Sequence, residues 1–207
     1  MKALHVVAAG LLPALCASCG RSCRPGAMLC TRCGRRLADT EPLGGGGPSG
    51  LDRAWSSAAH EGVARDLVAA LKFRRLLPVA ELIAQRIEWL APASLLSGAV
   101  VPVPTARLRT LARGFDPATE IAAALAERTG APLRPCLVRS GGGRQVGRRR
   151  AQRIGHPPHV HPRGEVPRSV LLVDDVLTTG ATLSACARAL RSAGAIRVVA
   201  ITFTRRL

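Results

Sequence analysis

The sequence predicts an α/β protein, with a parallel sheet flanked by helices and a small cysteine-rich unit in front of it. From residue 54 onwards, short apolar segments typical of strands alternate with segments whose apolar residues have helical spacing. Five of the seven cysteines fall within residues 16–36, which contain no acidic side chain. The chain has 207 residues, so it is long enough to bury a core without disulfides.

The predicted elements follow one another along the chain in a simple order. Residues 4–12 are a candidate short apolar helix, and the glycine run 44–47 predicts a loop that closes the first unit. Asp116 and Pro117 supply the N-cap and first turn of a helix that ends at Gly130. The expected strands are 54–59, 99–103, 133–138, 169–174 and 196–203, and the other expected helices are 63–73, 79–90 and 181–193.

Changes in composition divide the chain. We place a boundary near residues 40–50, which gives an N-terminal unit of residues 1–45 and a second domain of residues 50–207. Residues 139–168 hold eight arginines, four prolines and a single acid, and we expect them to form a mobile basic loop. The alternative for this segment is a disordered basic linker with no role at a site.

The charge restricts the partners. The formal net charge is +17, and all basic residues except Lys2 and Lys72 are arginines. A GC-rich genome explains the preference for arginine, but it does not explain the sign of the net charge. We therefore expect acidic partners: phosphate metabolites, nucleic acid or an anionic surface. Aromatic residues are only 2% of the chain, which argues against a base-stacking platform.

The apolar runs predict no membrane insertion, because no run reaches the 18 residues that a transmembrane helix requires. The first residues imitate a signal peptide only weakly. We expect a cytoplasmic protein whose thiols are reduced or bound to metal.

Two CxxC pairs, separated by ten residues, predict a metal site. Each pair presents two thiolates on a tight turn, and two such turns give the tetrahedral all-sulfur site that suits structural Zn²⁺. A redox pair is the alternative. Cys23 fits neither pair, and Cys136 and Cys186 lie in apolar segments as core thiols. The expected ligands are Cys16, Cys19, Cys30 and Cys33.

The most informative segment is residues 170–182. A buried strand ends in two adjacent acids, Asp174 and Asp175, and a Thr- and Gly-rich loop then leads into a helix. In open α/β sheets, ligands bind at this edge, and Gly180 lets the backbone approach them closely. The loop hydroxyls and free helix N–H groups suit a phosphate, whereas the acids suit sugar hydroxyls or a metal ion. A 5-phosphoribosyl group offers both parts; the alternative is an ordinary capped helix.

This segment resembles the phosphoribosyl-pyrophosphate (PRPP) signature of type I phosphoribosyltransferases. From Cys16 to the last strand the chain looks like the ComF-type, competence-associated branch, with its four-cysteine zinc ribbon, PVP-type segment, RGF motif and Gln/Arg loop. The resemblance implies a type I phosphoribosyltransferase-like parallel sheet and transfer of a phosphoribosyl group from PRPP, with Mg²⁺, to an unknown nucleophilic acceptor. It also suggests a link to DNA uptake.

The resemblance assigns roles residue by residue. Asp174 and Asp175 would bind the ribose hydroxyls, and Arg113 of the RGF motif would reach the pyrophosphate. Lys72 matches a family lysine, although a solvated helix face would also explain it. The residues expected around the 5′-phosphate are Thr178, Thr179, Gly180, Ala181 and Thr182. The pyrophosphate loop is expected to contain Pro104, Thr105 and Arg107, and the mobile loop is expected to contribute Gln145 and Arg153.

The chain also departs from the family pattern. The usual RGFNQ reads Arg113-Gly114-Phe115-Asp116-Pro117, so an amide pair is missing. Such changes leave the phosphoribosyl site intact but affect the side of the second substrate. Two alternatives to an enzyme therefore remain. One is a non-catalytic PRPP-fold scaffold, and the other is an accessory protein that binds single-stranded DNA or DNA-uptake proteins. A homodimer is a further expectation.

Overall fold

The computed structural model describes residues 14–140 and 159–207. The predicted helix 4–12 and the larger part of the predicted basic loop, including Gln145 and Arg153, lie outside these residues. No helix in the described ranges is long and apolar enough to cross a membrane.

A five-stranded sheet forms the centre of the molecule, beside a separate two-stranded one. The strands are β1 (Leu43–Gly45), β2 (Arg53–Ala59), β3 (Ala99–Pro102), β4 (Leu137–Ser140), β5 (His159–Pro162), β6 (Ser169–Leu177) and β7 (Arg197–Arg205). The spatial order in the large sheet is β1-β2-β7-β6-β3. β1 is antiparallel to β2, and the other neighbours are parallel. This arrangement confirms the predicted fold class.

Helices cover both faces of the sheet. They are α1 (Thr31–Ala38), α2 (Gly62–Arg74), α3 (Pro78–Leu90), α4 (Arg107–Arg113), α5 (Pro117–Thr129) and α6 (Ala181–Ser192), with a 3₁₀ turn at Ala93–Leu95. Buried residues of α2, α3 and α5 share one core with Cys16 and Cys33, and buried residues of α6 form a second core with β3, β4 and β6. Pro78 stands at the start of α3, and the Asp116 side chain caps α5, both as expected.

Two predicted elements need correction. The glycine run expected to be a loop contributes β1, because strand pairing needs only backbone groups and Gly44 fits against Trp55. The predicted strand 133–138 is wrong in extent: Leu133 forms only an isolated bridge to Val100, and the strand begins at Leu137. Pro132 and Pro135 lack the N–H groups that a longer ladder needs.

The ends of the predicted basic loop are ordered strands. β4 pairs antiparallel with β5, in the register Leu137 with Pro162 and Ser140 with His159. Regular structure therefore extends into the segment 139–168 from both sides. Val138 and Val160 lie on these strands, and β-branched residues of this kind suit a half-buried strand better than a mobile loop.

The register of β6 places the two acids. β3 ends at Pro102, which lies opposite Val173 of β6. β6 runs on beyond this point because β7 continues to pair with it as far as Leu177. Asp174 and Asp175 therefore lie beyond the end of β3, at the carboxyl edge of the sheet, with a strand neighbour on one side only.

Candidate active site and metal centre

Four cysteines gather at one point of the N-terminal unit. The sulfurs of Cys16, Cys19, Cys30 and Cys33 lie within 4.8 Å of one another. Burial opposes ionisation of Cys16, but backbone N–H groups of Cys19 and Cys30 point at its sulfur and lower its pKa to about 6. This favours the thiolate that a metal needs. The all-sulfur donor set fits zinc, and it confirms the cluster predicted from the two CxxC pairs.

The cysteine cluster is attached to α2. Ser18 Oγ donates a hydrogen bond to Asp66 Oδ2 at 2.7 Å, and the Arg74 guanidinium donates to the Ala17 carbonyl. Ala17 is buried in the same core as Leu67 of α2. The cysteine cluster and α2 therefore pack together.

A cavity of about 200 Å³ opens at the carboxyl edge of the sheet. It lies where β6 extends beyond the end of β3, and it is bordered by the loop after β3, the start of α5 and the start of α6. The residues that line it are Lys72, Val103, Pro104, Thr105, Arg113, Pro117, Ala118, Arg139, Asp174, Asp175, Val176, Thr178 and Thr182. A larger open groove of about 480 Å³ runs past Arg134 and Arg163, away from the paired acids.

Most of the site residues predicted from the sequence meet in or beside this cavity. Asp174, Asp175, Lys72, Arg113, Pro104, Thr105, Thr178 and Thr182 line it. Three others, Thr179, Gly180 and Ala181, lie in the loop and first turn of α6 without lining the cavity. Arg107 is the first residue of α4, a helix that the sequence analysis did not predict.

The two acids have different surroundings. Burial, and then the charge of Asp175, raise the pKa of Asp174 well above the usual aspartate range. Asp174 Oδ1 accepts a hydrogen bond from the Asp175 N–H at 2.8 Å. Asp175 is 6% exposed, and its Oδ2 lies 2.5 Å from Lys72 Nζ. That oxygen accepts no well-aligned hydrogen bond from the described residues, so the contact is an ion pair without directional bonding.

Lys72 lines the cavity. The solvated helix face considered for it is wrong, since its side chain is 22% exposed and its ammonium faces the cavity acid Asp175. Lys72 is in the last turn of α2, the helix against which the cysteine cluster packs. A single helix therefore contacts both the cysteine cluster and the cavity.

A glycine is needed at position 180 for two reasons, the backbone conformation and the close packing against Pro48. Its φ of +75° is a conformation that side chains disfavour, and a Cβ there would overlap the ring of Pro48. The loop of residues 178–180 is thus held against the segment that follows β1. The sequence suggested a close approach to a ligand; the described contact is to the protein itself.

Sequence reasoning missed two features of the site. Asp116, expected only as a helix cap, also holds the loop after β3: Oδ2 accepts from the Thr105 N–H at 3.1 Å and Oδ1 accepts from Thr105 Oγ1 at 3.0 Å. Arg139, expected in a mobile loop, projects from β4 into the cavity. No signal in the sequence distinguished Arg139 from its neighbouring arginines.

We predict that the four-cysteine cluster binds one zinc ion per chain and stabilises the fold. Cys30→Ser should lose the zinc and lower the Tm by roughly 5–10 °C, as expected for a loss of about 2–3 kcal/mol in a chain of this size. Zinc content by atomic absorption and a thermal melt measure both effects. Cys23→Ser, outside the cluster, is the control and should keep both values; a control that also loses zinc would contradict the assignment.

The raised pKa of Asp174 predicts that the free energy of unfolding decreases at high pH. Its folded pKa exceeds its unfolded one, so the folded state holds the proton more tightly and stability falls as pH rises through that interval. Asp174→Asn removes this loss while keeping an acceptor for the Asp175 N–H. At pH 8 the variant should have a higher Tm than the wild type, by roughly 2–4 °C for each 1 kcal/mol gained in unfolding free energy. The difference in Tm should shrink towards pH 4.

A second variant controls for the loss of a negative charge in this highly basic chain. Glu165→Gln removes an exposed acid outside the cavity. It should give no such pH-dependent gain. An equal gain in both variants would mean that general charge, rather than the enclosure of Asp174, causes the effect.

Two comparisons with known proteins gave matches. Residues 111–207 match the family model "Phosphoribosyl transferase domain". Among solved structures, the crystal structure of orotate phosphoribosyltransferase from Aeropyrum pernix is similar, with 22% identity, 81% of this chain and 76% of that chain covered, and a TM-score of 0.37. A search of curated proteins gave no match. The segment that matches the family model contains both acids and the loop before α6.

Proposed function

We propose that this protein is a PRPP-dependent phosphoribosyltransferase of the ComF type that acts on a nitrogen nucleophile. One observation carries the proposal. A single cavity holds two adjacent acids at the end of a parallel strand and, next to them, the Thr-rich start of a helix. A ribose ring that carries a 5′-phosphate presents a diol and a dianion at a matching short separation, so one ligand can use both parts.

Each part of the cavity then has a role in holding the substrate. Asp174 and Asp175 accept hydrogen bonds from the 2′- and 3′-hydroxyls. The hydroxyls of Thr178 and Thr182, with the free N–H groups at the start of α6, hold the 5′-phosphate. These contacts fix the sugar so that its C1 faces the open side of the cavity, where an acceptor can approach.

The opposite wall suits the leaving group. Pro104 and Thr105 follow β3, Arg107 starts α4, and the Arg113 guanidinium lines the cavity. In the proposed reaction the bond from C1 to the pyrophosphate oxygen breaks, the acceptor nitrogen bonds to C1 and loses its proton, and pyrophosphate leaves with the bonding electrons. Arg113 stabilises the charge that develops on the leaving oxygens. Gln145 and Arg153 are proposed to act from outside the described residues.

Magnesium fits the donor set of the cavity. Carboxylate oxygens are its preferred protein ligands, and Asp174 and Asp175 supply them together with the substrate's own hydroxyls and phosphates. When bound, Mg²⁺ would neutralise charge on the pyrophosphate. Lys72 holds the cationic position beside Asp175 in the described arrangement. Substrate binding would then exchange the Lys72 contact for sugar hydroxyls.

Calorimetric titration of PRPP with Mg²⁺ into the zinc-loaded full chain tests the proposal. We expect saturable binding by the wild type. Asp175→Asn should bind about 10- to 100-fold more weakly, because each charged hydrogen bond contributes about 1.5–3 kcal/mol. Asp39→Asn is the matched control, since Asp39 is exposed and lies outside the cavity, and it should bind as the wild type does. A folded wild type that binds no PRPP would refute the proposal.

Single-stranded DNA binding is the second candidate function, and one surface feature favours it. The Phe73 ring is 74% exposed, and the Arg113 guanidinium lies 5.5 Å from its centre. Arg74 and Arg75 follow Phe73 in the chain. An exposed ring with an arginine beside it can stack a base while neighbouring cations hold the phosphates. The low aromatic content argued against such a platform, but one ring is available beside the cavity.

Fluorescence anisotropy of a labelled oligothymidine distinguishes this second function. If it is correct, affinity falls steeply between 50 and 200 mM salt, by about a factor of ten or more. Phe73→Ala should weaken binding by about tenfold, since one stacked base contributes about 1–3 kcal/mol. Trp89→Ala is the control, because Trp89 is equally exposed but lies on α3. A flat salt response would exclude the DNA function and leave the transferase unaffected.

A further inference from the structure

Arg139 is the cavity cation that neither the sequence nor the proposed mechanism has used. It lies on β4, opposite Val160 of β5. Its side chain lines the cavity together with Asp174 and Thr182. Its Nε is buried and has no hydrogen-bond partner among the described residues. No described acid forms an ion pair with it either. A buried donor of this kind is normally satisfied, so its partner lies outside the described residues, and a ligand of the cavity is one source of it.

The surroundings of Arg139 place it at the α6 side of the cavity. The β4–β5 hairpin packs on α6, where Val160 lies beside Ala185 and Ala189. Burial raises the pKa of the Cys186 thiol to about 12, and the two nearby charges that act on it are those of Asp174 and Arg139. Cys186 is one turn beyond Thr182 on α6. The Arg139 charge is therefore close to the first turn of α6.

The other two cations of the cavity are engaged elsewhere. Lys72 pairs with Asp175, and Arg113 lies over Phe73. The first turn of α6 thus has hydroxyl and N–H donors from its own loop, and Arg139 is the remaining described cation that lines the cavity beside Thr182. A phosphate dianion at that position would receive neutral donors from one side and a guanidinium from the other.

We propose that Arg139 binds the 5′-phosphate of the ribosyl substrate and so makes the site selective for 5-phosphorylated sugars. This inference rests on the proposed function. Because the side chain comes from the hairpin and not from the loop before α6, it adds a contact from a separate element. The guanidinium would donate to the phosphate through Nε and one terminal nitrogen, which would satisfy the buried Nε.

Ligand fragments test this assignment. We would titrate PRPP, ribose 5-phosphate and pyrophosphate, each with Mg²⁺, into the zinc-loaded wild type and Arg139→Met. The variant should bind PRPP and ribose 5-phosphate about tenfold or more weakly, with no change for pyrophosphate. Arg139→Lys, which keeps the charge but lacks Nε, should fall between the two. Arg163→Met is the control: it removes an exposed arginine from the same hairpin region, outside the cavity.

The outcomes separate the inference from the function. A wild type that binds neither PRPP nor ribose 5-phosphate would refute the proposed function, and this inference with it. A wild type that binds both ligands, with Arg139→Met and Arg139→Lys unchanged, would overturn the inference and leave the function standing. Weaker pyrophosphate binding with unchanged ribose 5-phosphate binding would also overturn it. Melting curves of both variants exclude loss of folding, and the Lys variant keeps the test decisive if the Met variant unfolds.

Discussion

The site depends on one difference in strand length. β6 continues to pair with β7 after β3 has ended at Pro102, so Asp174 and Asp175 reach beyond the sheet on the β3 side. If β3 were as long as β6, backbone hydrogen bonds between the two strands would occupy the position of the cavity. Enclosure at this edge raises the pKa of Asp174 and leaves Asp175 with Lys72 as its partner. The fold therefore holds two carboxyl groups in surroundings that favour a ligand able to donate hydrogen bonds to both.

The N-terminal unit takes part in the same arrangement. α2 contacts the cysteine cluster through Asp66 and Arg74 and presents Lys72 to the cavity in its last turn. The matched domain begins only at residue 111, after α2 and β3. One wall of the cavity is consequently built by residues outside the matched segment.

The sequence predicted those features that depend on local chemistry. The CxxC spacing identified the four cysteines that cluster, and the strand-acid-acid-Thr-Gly pattern identified residues that line the cavity. Prediction failed where a tertiary contact decided the outcome. β1 pairs through glycine backbone, Arg139 becomes a cavity residue only because β4 pairs with β5, and the Lys72–Asp175 contact joins residues 103 positions apart along the chain. Local propensity contains no information on such pairings.

Asp116 gives a physical reason for one departure from the family motif. An asparagine at this position offers a single acceptor oxygen, whereas Asp116 uses two: Oδ1 receives the Ala118 N–H and the Thr105 hydroxyl, and Oδ2 receives the Thr105 N–H. The carboxylate therefore fixes the start of α5 and the loop after β3 at once. Under the proposed function, an acid near the pyrophosphate would repel it, but the three donors disperse this charge, and Arg113 lines the same cavity. Asp116 would then brace the loop on the proposed leaving-group side of the cavity.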